Sequence, residues 1–389
     1  MHSSDSDLSV EAILTHFAEE NKPYGAVTPP IFQNSLFVFD TTEELIGALS
    51  RTPDGPPYVY SRSSNPTLDI VERKIAALEG AESCKATGGG IGAISVALAS
   101  ELKLGSHVVI VESAYGPARS FLEFMKKFGV THTLVEGSDV EEIEAAILPE
   151  TAVIYLESPS SMIFRIQDIP AVTAIAKERK ITTMIDNTYC TPIYMQPMKH
   201  GVDVVIHSAS KYFGGHSDIN GGVICTDRER MHHIMKSELN YYSPTMHPFT
   251  AWLMMRGLRT LKLRVQQHRV NADLVAGWLE TRPEVERVNH VSLPSFPQRD
   301  RYERLMSGST GLFSFVPKVQ DRDKIHAFCD ALKNFGRGIS WGGFESLVVP
   351  GQIREKDRSD SYSLVRLFCG LEDAEELKAD IEQALVHLR

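Results

Sequence analysis

The sequence has few cysteines, and their pattern argues against two classes of protein. The five cysteines are scattered along the chain, odd in number, and include no C-x-x-C pair. We therefore expect neither a disulfide framework nor a structural zinc site, and no other metal site is predicted. Reduced thiols are typical of the cytoplasm, which is the predicted location.

Long apolar runs and an excess of positive charge are also missing. No apolar run in the sequence approaches the roughly 20 residues that a membrane helix needs. The first residues, "MHSSDSDLSVEAILTHFAEE", have no basic flank leading into an apolar core, so a secretory signal is not expected. The formal net charge of −10, with no basic stripe, argues against nucleic-acid and anionic-membrane partners.

The length of the chain and its changing local composition predict an arm followed by two domains. The 389 residues are too many for one small domain. Residues 1–65 are rich in Pro, Ser and Asn, so we expect an arm without an ordered core element that lies on a neighbouring subunit. Residues 66–255 are predicted to form a large domain, and residues 256–389 a smaller C-terminal domain.

The pattern from residue 66 onwards predicts an α/β fold. Continuous apolar segments alternate with amphipathic helices; these segments are "SHVVIVES", "TAVIYLES", "TTMIDN" and "VDVVIHS". Such strands indicate a mainly parallel sheet that is buried on both faces. After about residue 253, one long helix is predicted, and a second α/β unit follows with strands in "GLFSFV" and "SLVRLFCGL".

Two of the predicted strand ends carry groups that suit a phosphorylated ring. In parallel sheets, sites form beyond the carboxyl ends of the strands. The glycines of "TGGGIG" open a helix, whose free backbone N–H groups suit a phosphate. Asp186 ends a buried strand, where either a protonated pyridine nitrogen or a structural arginine would balance its charge.

Two more strand ends carry an aromatic ring and an amine. Tyr115 in "VESAYGP" can cover a flat ring and handle protons. Lys211 in "HSASKYFGGHSD" is flanked by hydroxyls and glycines, and Ser208 and Ser210 can donate to a phosphate. A lysine amine forms Schiff bases with carbonyl groups and can act as a base.

Each of these features also has an alternative interpretation. The glycines could form only a tight turn, Tyr115 could pack in a loop, and Lys211 could be a solvated charge. A dinucleotide-binding oxidoreductase is a further alternative, because Gly88-x-Gly90-x-x-Ala93 matches the dinucleotide fingerprint and Glu112 follows about 20 residues on. Against it, "AESCKAT" has few strand-forming residues. A non-catalytic scaffold is the least favoured alternative.

Taken together, the four strand ends favour one cofactor. Pyridoxal 5′-phosphate (PLP) requires four groups from a protein. These are a phosphate-binding loop, an aromatic side chain that stacks on the ring, a carboxylate that pairs with the pyridinium nitrogen and an amine that reacts with the carbonyl group. A dinucleotide enzyme would need neither Lys211 nor Asp186. We therefore predict a PLP site at this edge of the sheet.

Several segments resemble the Cys/Met-metabolism (transsulfuration) family of PLP-dependent enzymes. The resemblance covers almost the whole chain from about residue 22 and rests on "YVYSRSSNPT", "MIDNTY", "SASKYFGGHSD", "RGLRTLKLRVQQH", "SGSTGLFSF" and "SWGGFESL". It implies the fold of aspartate aminotransferase-like (fold type I) PLP enzymes, with a large domain and a smaller C-terminal one. It also implies a homotetramer built from dimers that share their active sites.

The resemblance also implies roles for individual residues. Lys211 would hold the cofactor and move the Cα proton, Asp186 would pair with the pyridine nitrogen and Tyr115 would stack on the ring. The phosphate would be held by Gly90, Ile91, Ser208 and Ser210, with Tyr60 and Arg62 of the neighbouring subunit. The substrate α-carboxylate would be bound by Arg366 with the region of Ser340 and Trp341.

The implied activity is the cleavage of a carbon–sulfur bond in a sulfur amino acid. The segments "ESPSSMIFRIQDIP" and "VNHVSLP" are most similar to the bacterial β-lyases of the family. Trp341, where synthases and γ-lyases tend to carry leucine, favours β-elimination of cystathionine over a γ-lyase or a γ-synthase acting on a homoserine ester. The segment after Tyr115 offers Arg119 but no acid for a distal ammonium group.

Overall fold

Two sheets organise the fold of the chain. The computed structural model describes residues 8–20, 22–51, 55–354 and 360–389, so parts of the predicted arm lie outside the described residues. Helices cover both sheets, and the predicted α/β architecture with a larger and a smaller sheet is confirmed. Within the described ranges, no helix combines the length and the apolar character that crossing a bilayer requires.

The larger sheet has seven strands in the order β1-β7-β6-β5-β4-β2-β3. Its strands are β1 (Ser83–Thr87), β2 (His107–Val111), β3 (Thr131–Val135), β4 (Thr151–Glu157), β5 (Thr182–Asp186), β6 (Val204–His207) and β7 (Gly222–Thr226). Only β7 breaks the parallel arrangement, since it runs antiparallel to both of its neighbours, β1 and β6. The parallel strands β4, β5 and β6 therefore end at the same edge of the sheet.

Helices accompany the larger sheet and place its loops. They are α3 (Pro66–Glu79), α4 (Gly90–Glu101), α5 (Gly116–Met125), α6 (Val140–Ala145), α7 (Ile169–Arg179), α8 (Thr191–Tyr194), α9 (Arg228–Lys236), α10 (Glu238–Tyr242) and α11 (Pro248–Leu258). Local sequence sets their ends: the Asn65 side chain caps α3 by accepting from Thr67 N, and Gly80 ends α3 in the left-handed region with φ of 71°.

The smaller sheet has five strands in the order β10-β11-β12-β9-β8. Its strands are β8 (Val285–Asn289), β9 (Leu312–Pro317), β10 (Gly336–Arg337), β11 (Leu347–Ile353) and β12 (Tyr362–Phe368), and its helices are α12 (Leu261–Leu279), α13 (Arg299–Leu305), α14 (Arg322–Ala331) and α15 (Ala374–Ala384). Arg366 lies on the central strand β12, opposite Ser314 of β9 and Val349 of β11. The prediction of a domain boundary at residue 255 stays a prediction.

The predicted arm contains more structure than its composition indicates. Its described residues include two α-helices, α1 (Val10–Thr15) and α2 (Thr42–Leu49), and α1 buries Ile13 and Leu14 in the core. A fully buried lysine holds α1 in place, because Lys74 Nζ donates to Ile13 O at 2.9 Å and lies 3.1 Å from Glu19 Oε1. The expectation that the arm lacks an ordered core element is therefore wrong for α1.

Two further expectations about secondary structure are also wrong. The segment 83–87, expected to be a poor strand, is the fully buried strand β1, because antiparallel pairing with β7 supplies its hydrogen bonds. The single long helix predicted after residue 253 is two helices, α11 and α12, separated at 259–260. Gly257 near the end of α11 packs so closely on the loop after Lys211 that a Cβ there would lie 2.3 Å from Gly214 O.

Candidate active site

A cavity of about 790 Å³ lies where the carboxyl ends of β4, β5 and β6 face the smaller sheet. Ten of the twelve predicted site residues line it: Gly90, Ile91, Tyr115, Asp186, Ser208, Ser210, Lys211, Ser340, Trp341 and Arg366. Residues from both sheets thus meet in one space. A cavity of this size at strand ends is typical of a small-molecule site.

One end of the cavity has the features of an anion site. The N-cap residue of α4 is Gly89, which has no side chain to satisfy the N–H groups of the first turn. A Cβ at Gly90 would lie 3.0 Å from Ser208 Oγ, so the glycine lets this hydroxyl approach the helix N-terminus. Ser210 is engaged with Gly221, whose N–H donates to its hydroxyl at 2.9 Å. Free N–H groups and the positive end of the helix dipole favour a phosphate here.

Asp186 is a buried carboxylate that faces the same cavity. Its Oδ1 accepts hydrogen bonds from Thr188 N at 2.9 Å and Thr188 Oγ1 at 2.5 Å. Burial raises the pKa of Asp186, whereas the Thr188 hydrogen bonds and the charges of His207 and Lys211 act in the opposite direction. No arginine or lysine of the described residues forms an ion pair with it, so the structural interpretation of Asp186 has no support. A protonated ring nitrogen suits such a carboxylate.

Lys211 follows β6 in a loop and reaches the smaller sheet. Its Nζ donates to Ser340 Oγ at 2.7 Å and lies 5.5 Å from the centre of the Trp341 ring. Burial, and then the positive charge of Arg366, lowers the pKa of Lys211 to about 8, with Asp186 opposing the shift. An amine with this pKa is partly neutral near physiological pH, as a nucleophile or a base must be.

Arg366 is the second cation of the cavity and is nearly buried. Its guanidinium donates to Ile339 O at 2.9 Å and lies 3.9 Å from the Met162 sulfur. Burial lowers the pKa of Arg366, and the charge of Glu157 opposes the shift. A buried guanidinium whose fork is only partly used by protein acceptors can bind a carboxylate.

Glu157 is a site residue that the sequence analysis missed. It ends β4, lies directly beside Asp186 of β5 in the strand register, and lines the cavity. Its Oε2 accepts a hydrogen bond of 2.6 Å from the backbone N–H of Tyr115, the half-exposed residue that precedes α5. Burial and the neighbouring Asp186 raise the pKa of Glu157 to about 8, against the opposing effect of Tyr115 N–H.

Two predicted site residues lie outside the cavity. Arg62 donates to Asn240 Oδ1 and lies over the Tyr60 ring, with 5.6 Å between the guanidinium carbon and the ring centre. Tyr60 itself is 46 % exposed. Within one copy of the chain, neither residue lines the cavity, and their role across a subunit interface stays a prediction.

The topology of the larger sheet argues against the dinucleotide interpretation. A dinucleotide fold needs its glycine loop between adjacent parallel strands. Here the loop follows β1, an edge strand that pairs antiparallel with β7 and is separated from β2 by four other strands of the sheet. Glu112, proposed as the ribose ligand, instead pairs with Arg165 at 3.3 Å. This topology, rather than a lack of strand structure, opposes that alternative.

The fold and the cavity define a PLP-dependent enzyme, and comparison with known proteins identifies the family. Residues 11–386 match the family described as Cys/Met metabolism PLP-dependent enzyme. The chain belongs to this family, and the predicted cofactor and the prediction of a PLP-dependent lyase are confirmed.

Individual relatives are similar over nearly their whole length. The chain is 36% identical to the "Putative cystathionine beta-lyase" of Rhizobium johnstonii over 95% of this chain and 94% of the relative. It is 37% identical to the "L-methionine gamma-lyase" of Pseudomonas putida over 93% of each. The solved structure of metB from Corynebacterium glutamicum matches with a TM-score of 0.90 and 31% identity, over 100% of both chains.

Proposed function

We propose that the chain cleaves L-cystathionine by α,β-elimination, which yields homocysteine, pyruvate and ammonia. The activity named for the Rhizobium relative supports this proposal. The activity named for the Pseudomonas relative, a γ-lyase, is the competing alternative. Both reactions begin with loss of the Cα proton, so the residues around Lys211 must favour one outcome.

The residues of the cavity suit the cofactor in both charge and shape. Asp186 would pair with the ring nitrogen and Tyr115 would cover the ring. The N-terminus of α4 at Gly90 and Ile91, with Ser208 and Ser210, would hold the phosphate, while Lys211 would hold the cofactor covalently. When bound, PLP supplies an electron sink for negative charge at the substrate Cα.

The reaction itself assigns three tasks to residues of this chain. Arg366, with the Ser340 and Trp341 region, would bind the substrate α-carboxylate and fix the orientation of Cα. Lys211 would take the Cα proton once its amine is free, consistent with its pKa of about 8. As the Cβ–S bond breaks, the Tyr115 phenol or the Lys211 ammonium would give a proton to the leaving sulfur. Water then converts the remaining three-carbon fragment to pyruvate and ammonia.

The confinement of the Lys211 amine is the observation that carries the proposal. Ser340 Oγ binds Nζ at 2.7 Å, and the indole of Trp341, only 8% exposed, lies beside it. The Trp341 ring is itself packed against Tyr212, with 5.4 Å between ring centres. β-Elimination needs a base at Cα alone, whereas γ-elimination needs a base that also reaches Cβ. A rigidly held amine therefore favours β-elimination.

Replacing Trp341 tests this argument. In Trp341→Leu the amine gains room, so we expect a higher ratio of 2-oxobutyrate to pyruvate from L-cystathionine than in the unaltered enzyme. Trp278→Leu, on α12 beside Arg282, is the matched control and should leave the ratio unchanged. An unchanged ratio in Trp341→Leu, with turnover retained, would remove the support that Trp341 gives to β-elimination.

The proposal includes a second copy of the chain at each site. Tyr60 and Arg62 lie outside the cavity of their own copy, and α2 presents the exposed side chains of Ile46 and Leu49. Burial of these apolar groups would favour association. We infer that a neighbouring subunit supplies Tyr60 and Arg62 to the phosphate, within a tetramer of two such dimers. A cytoplasmic location stays a prediction.

A further inference from the structure

Glu157 occupies a central place in the cavity without an assigned role. It is 6% exposed, and its partner in the strand register, Asp186, is 7% exposed. Two buried carboxyl groups on adjacent parallel strands point to the same edge of the sheet. Because a buried charge is costly, both carboxylates need compensation from the groups around them.

Glu157 makes a hydrogen bond that fixes the position of Tyr115. The hydrogen bond of 2.6 Å from Tyr115 N to Glu157 Oε2 joins the end of β4 to the beginning of α5. The Tyr115 side chain cannot itself cap this helix, and it makes no side-chain cap hydrogen bond. Glu157 therefore fixes the backbone from which the Tyr115 ring projects.

Glu157 also interacts electrostatically with Arg366. Glu157 is the negative charge that opposes the effect of burial on the Arg366 guanidinium. No carboxylate of the described residues lies within ion-pair distance of Arg366, whose nearest acceptor is the neutral Ile339 O. Both side chains line the same cavity, so in the absence of substrate the charge of Glu157 balances Arg366 whenever Glu157 is ionised, which holds above its pKa of about 8.

We propose that Glu157 is a positioning residue that holds Tyr115 and, in its ionised form, balances Arg366 until a substrate carboxylate takes over this second task, whereupon Glu157 takes up a proton. This inference rests on the proposed function in one respect, the binding of the substrate α-carboxylate by Arg366. Nothing else in it depends on which carbon–sulfur bond is cleaved.

The electrostatic surroundings explain the proton uptake. The other titratable groups facing Glu157 are Asp186 of β5, Lys211 after β6, and the buried phenol of Tyr155 on β4 itself. An incoming carboxylate adds negative charge beside Glu157 and Asp186. Since the pKa of Glu157 is already raised to about 8, the group is mostly ionised at pH 8.5, and the added charge raises the pKa further, so that Glu157 takes up a proton at this pH.

Calorimetry of the PLP-loaded enzyme tests the inference directly. The ligand is 4-(methylthio)butanoate, which carries a thioether chain and a carboxylate but no amine. Its binding is measured at pH 8.5 in two buffers of different ionisation enthalpy, which gives the number of protons taken up. We expect the unaltered enzyme to take up about 0.5 to 1 proton more than Glu157→Gln, whose neutral amide still accepts from Tyr115 N.

The pH dependence of binding provides a second readout. In the unaltered enzyme, the Kd should rise up to about tenfold from pH 7 to pH 9, because ionised Glu157 competes with the ligand for Arg366. In Glu157→Gln this dependence should be lost. Equal proton uptake and equal pH dependence in the two proteins would overturn the inference.

A shorter side chain separates the two tasks of Glu157 and covers the case that Glu157→Gln does not fold. Glu157→Asp keeps a titratable carboxyl but retracts it from Tyr115 N, so proton uptake should persist while kcat falls. Loss of the uptake in Glu157→Asp, with ligand still bound, would contradict the inference. Product analysis distinguishes the two proposals: failure to form pyruvate would reject β-elimination without altering the proton result.

Discussion

Lys211 Nζ donates a hydrogen bond of 2.7 Å to Ser340 Oγ and so connects the larger sheet to the smaller one at the cavity. Lys211 follows β6, whereas Ser340 lies between β10 and β11. The position of the reacting amine thus depends on both sheets.

The lowered pKa of Lys211 predicts a pH-dependent stability. The folded-state pKa of about 8 lies below the ordinary lysine value of 10.5, so between these two values the unfolded chain binds more protons. The free energy of unfolding of the PLP-free protein should therefore rise with pH across this window, by at most about 3 kcal/mol. Urea denaturation at pH 7.5 and 10 measures this rise.

Lys211→Met is the control for that measurement. It keeps most of the side-chain volume but has no titrating amine, so the part of the rise due to Lys211 should disappear. A rise of the same size in Lys211→Met would show that other groups cause it.

Asp186→Asn should impair catalysis more than folding. The amide cannot carry the negative charge that keeps a ring nitrogen protonated, although it can still accept from Thr188. We expect kcat to fall about 100-fold or more, the effect of removing one member of a buried charge pair. The exposed Asp300→Asn is the control. Unaltered kinetics in Asp186→Asn, with PLP bound, would be incompatible with the proposed role.

Arg366→Lys should weaken substrate binding selectively. Lysine keeps the positive charge but loses the planar fork that binds a carboxylate with two hydrogen bonds. Because a hydrogen bond to a charged group contributes about 1.5–3 kcal/mol, KM should rise about 10- to 100-fold. Steady-state kinetics with the exposed Arg322→Lys as control measure this effect. A drop in kcat at constant KM would argue for a different role.

Mixing two inactive variants tests whether subunits share active sites. Lys211→Ala lacks the amine, and Arg62→Ala lacks the group expected from the neighbouring subunit. If they are refolded together, half of the dimers are mixed, and each mixed dimer contains one intact site out of two. The mixture should regain about a quarter of the unaltered activity. No regain, despite mixed dimers seen by native mass spectrometry, would place Arg62 outside the shared site.

The chemistry of the site could be predicted from the sequence because its functional side chains follow continuous apolar strands. Lys211 and Asp186 each come at the end of a continuous apolar run, and parallel strands bring such ends together. Glu157 ends "TAVIYLE" in the same way as Asp186 ends "TTMID", so the same argument could have found it. It was missed because a glutamate before a polar loop is also a common solvated residue.

The features that could not be predicted depend on distant contacts. The strand character of Ser83–Thr87 comes from pairing with β7, about 140 residues later, and not from its own composition. Helix α1 is held by Lys74 of α3. From the local sequence, a lysine in an amphipathic helix is expected on the exposed polar face. The strands β7, β8 and β11 were also not predicted, because glycine, proline or charged residues interrupt their apolar patterns.

Identification of the products of L-cystathionine turnover distinguishes β-elimination from γ-elimination. The PLP-loaded enzyme is incubated with the substrate, and the keto acid and the thiol are both identified by mass spectrometry. We expect pyruvate together with homocysteine from the unaltered enzyme, and neither product from Lys211→Ala. The appearance of 2-oxobutyrate together with cysteine would contradict β-elimination and assign the chain to γ-elimination.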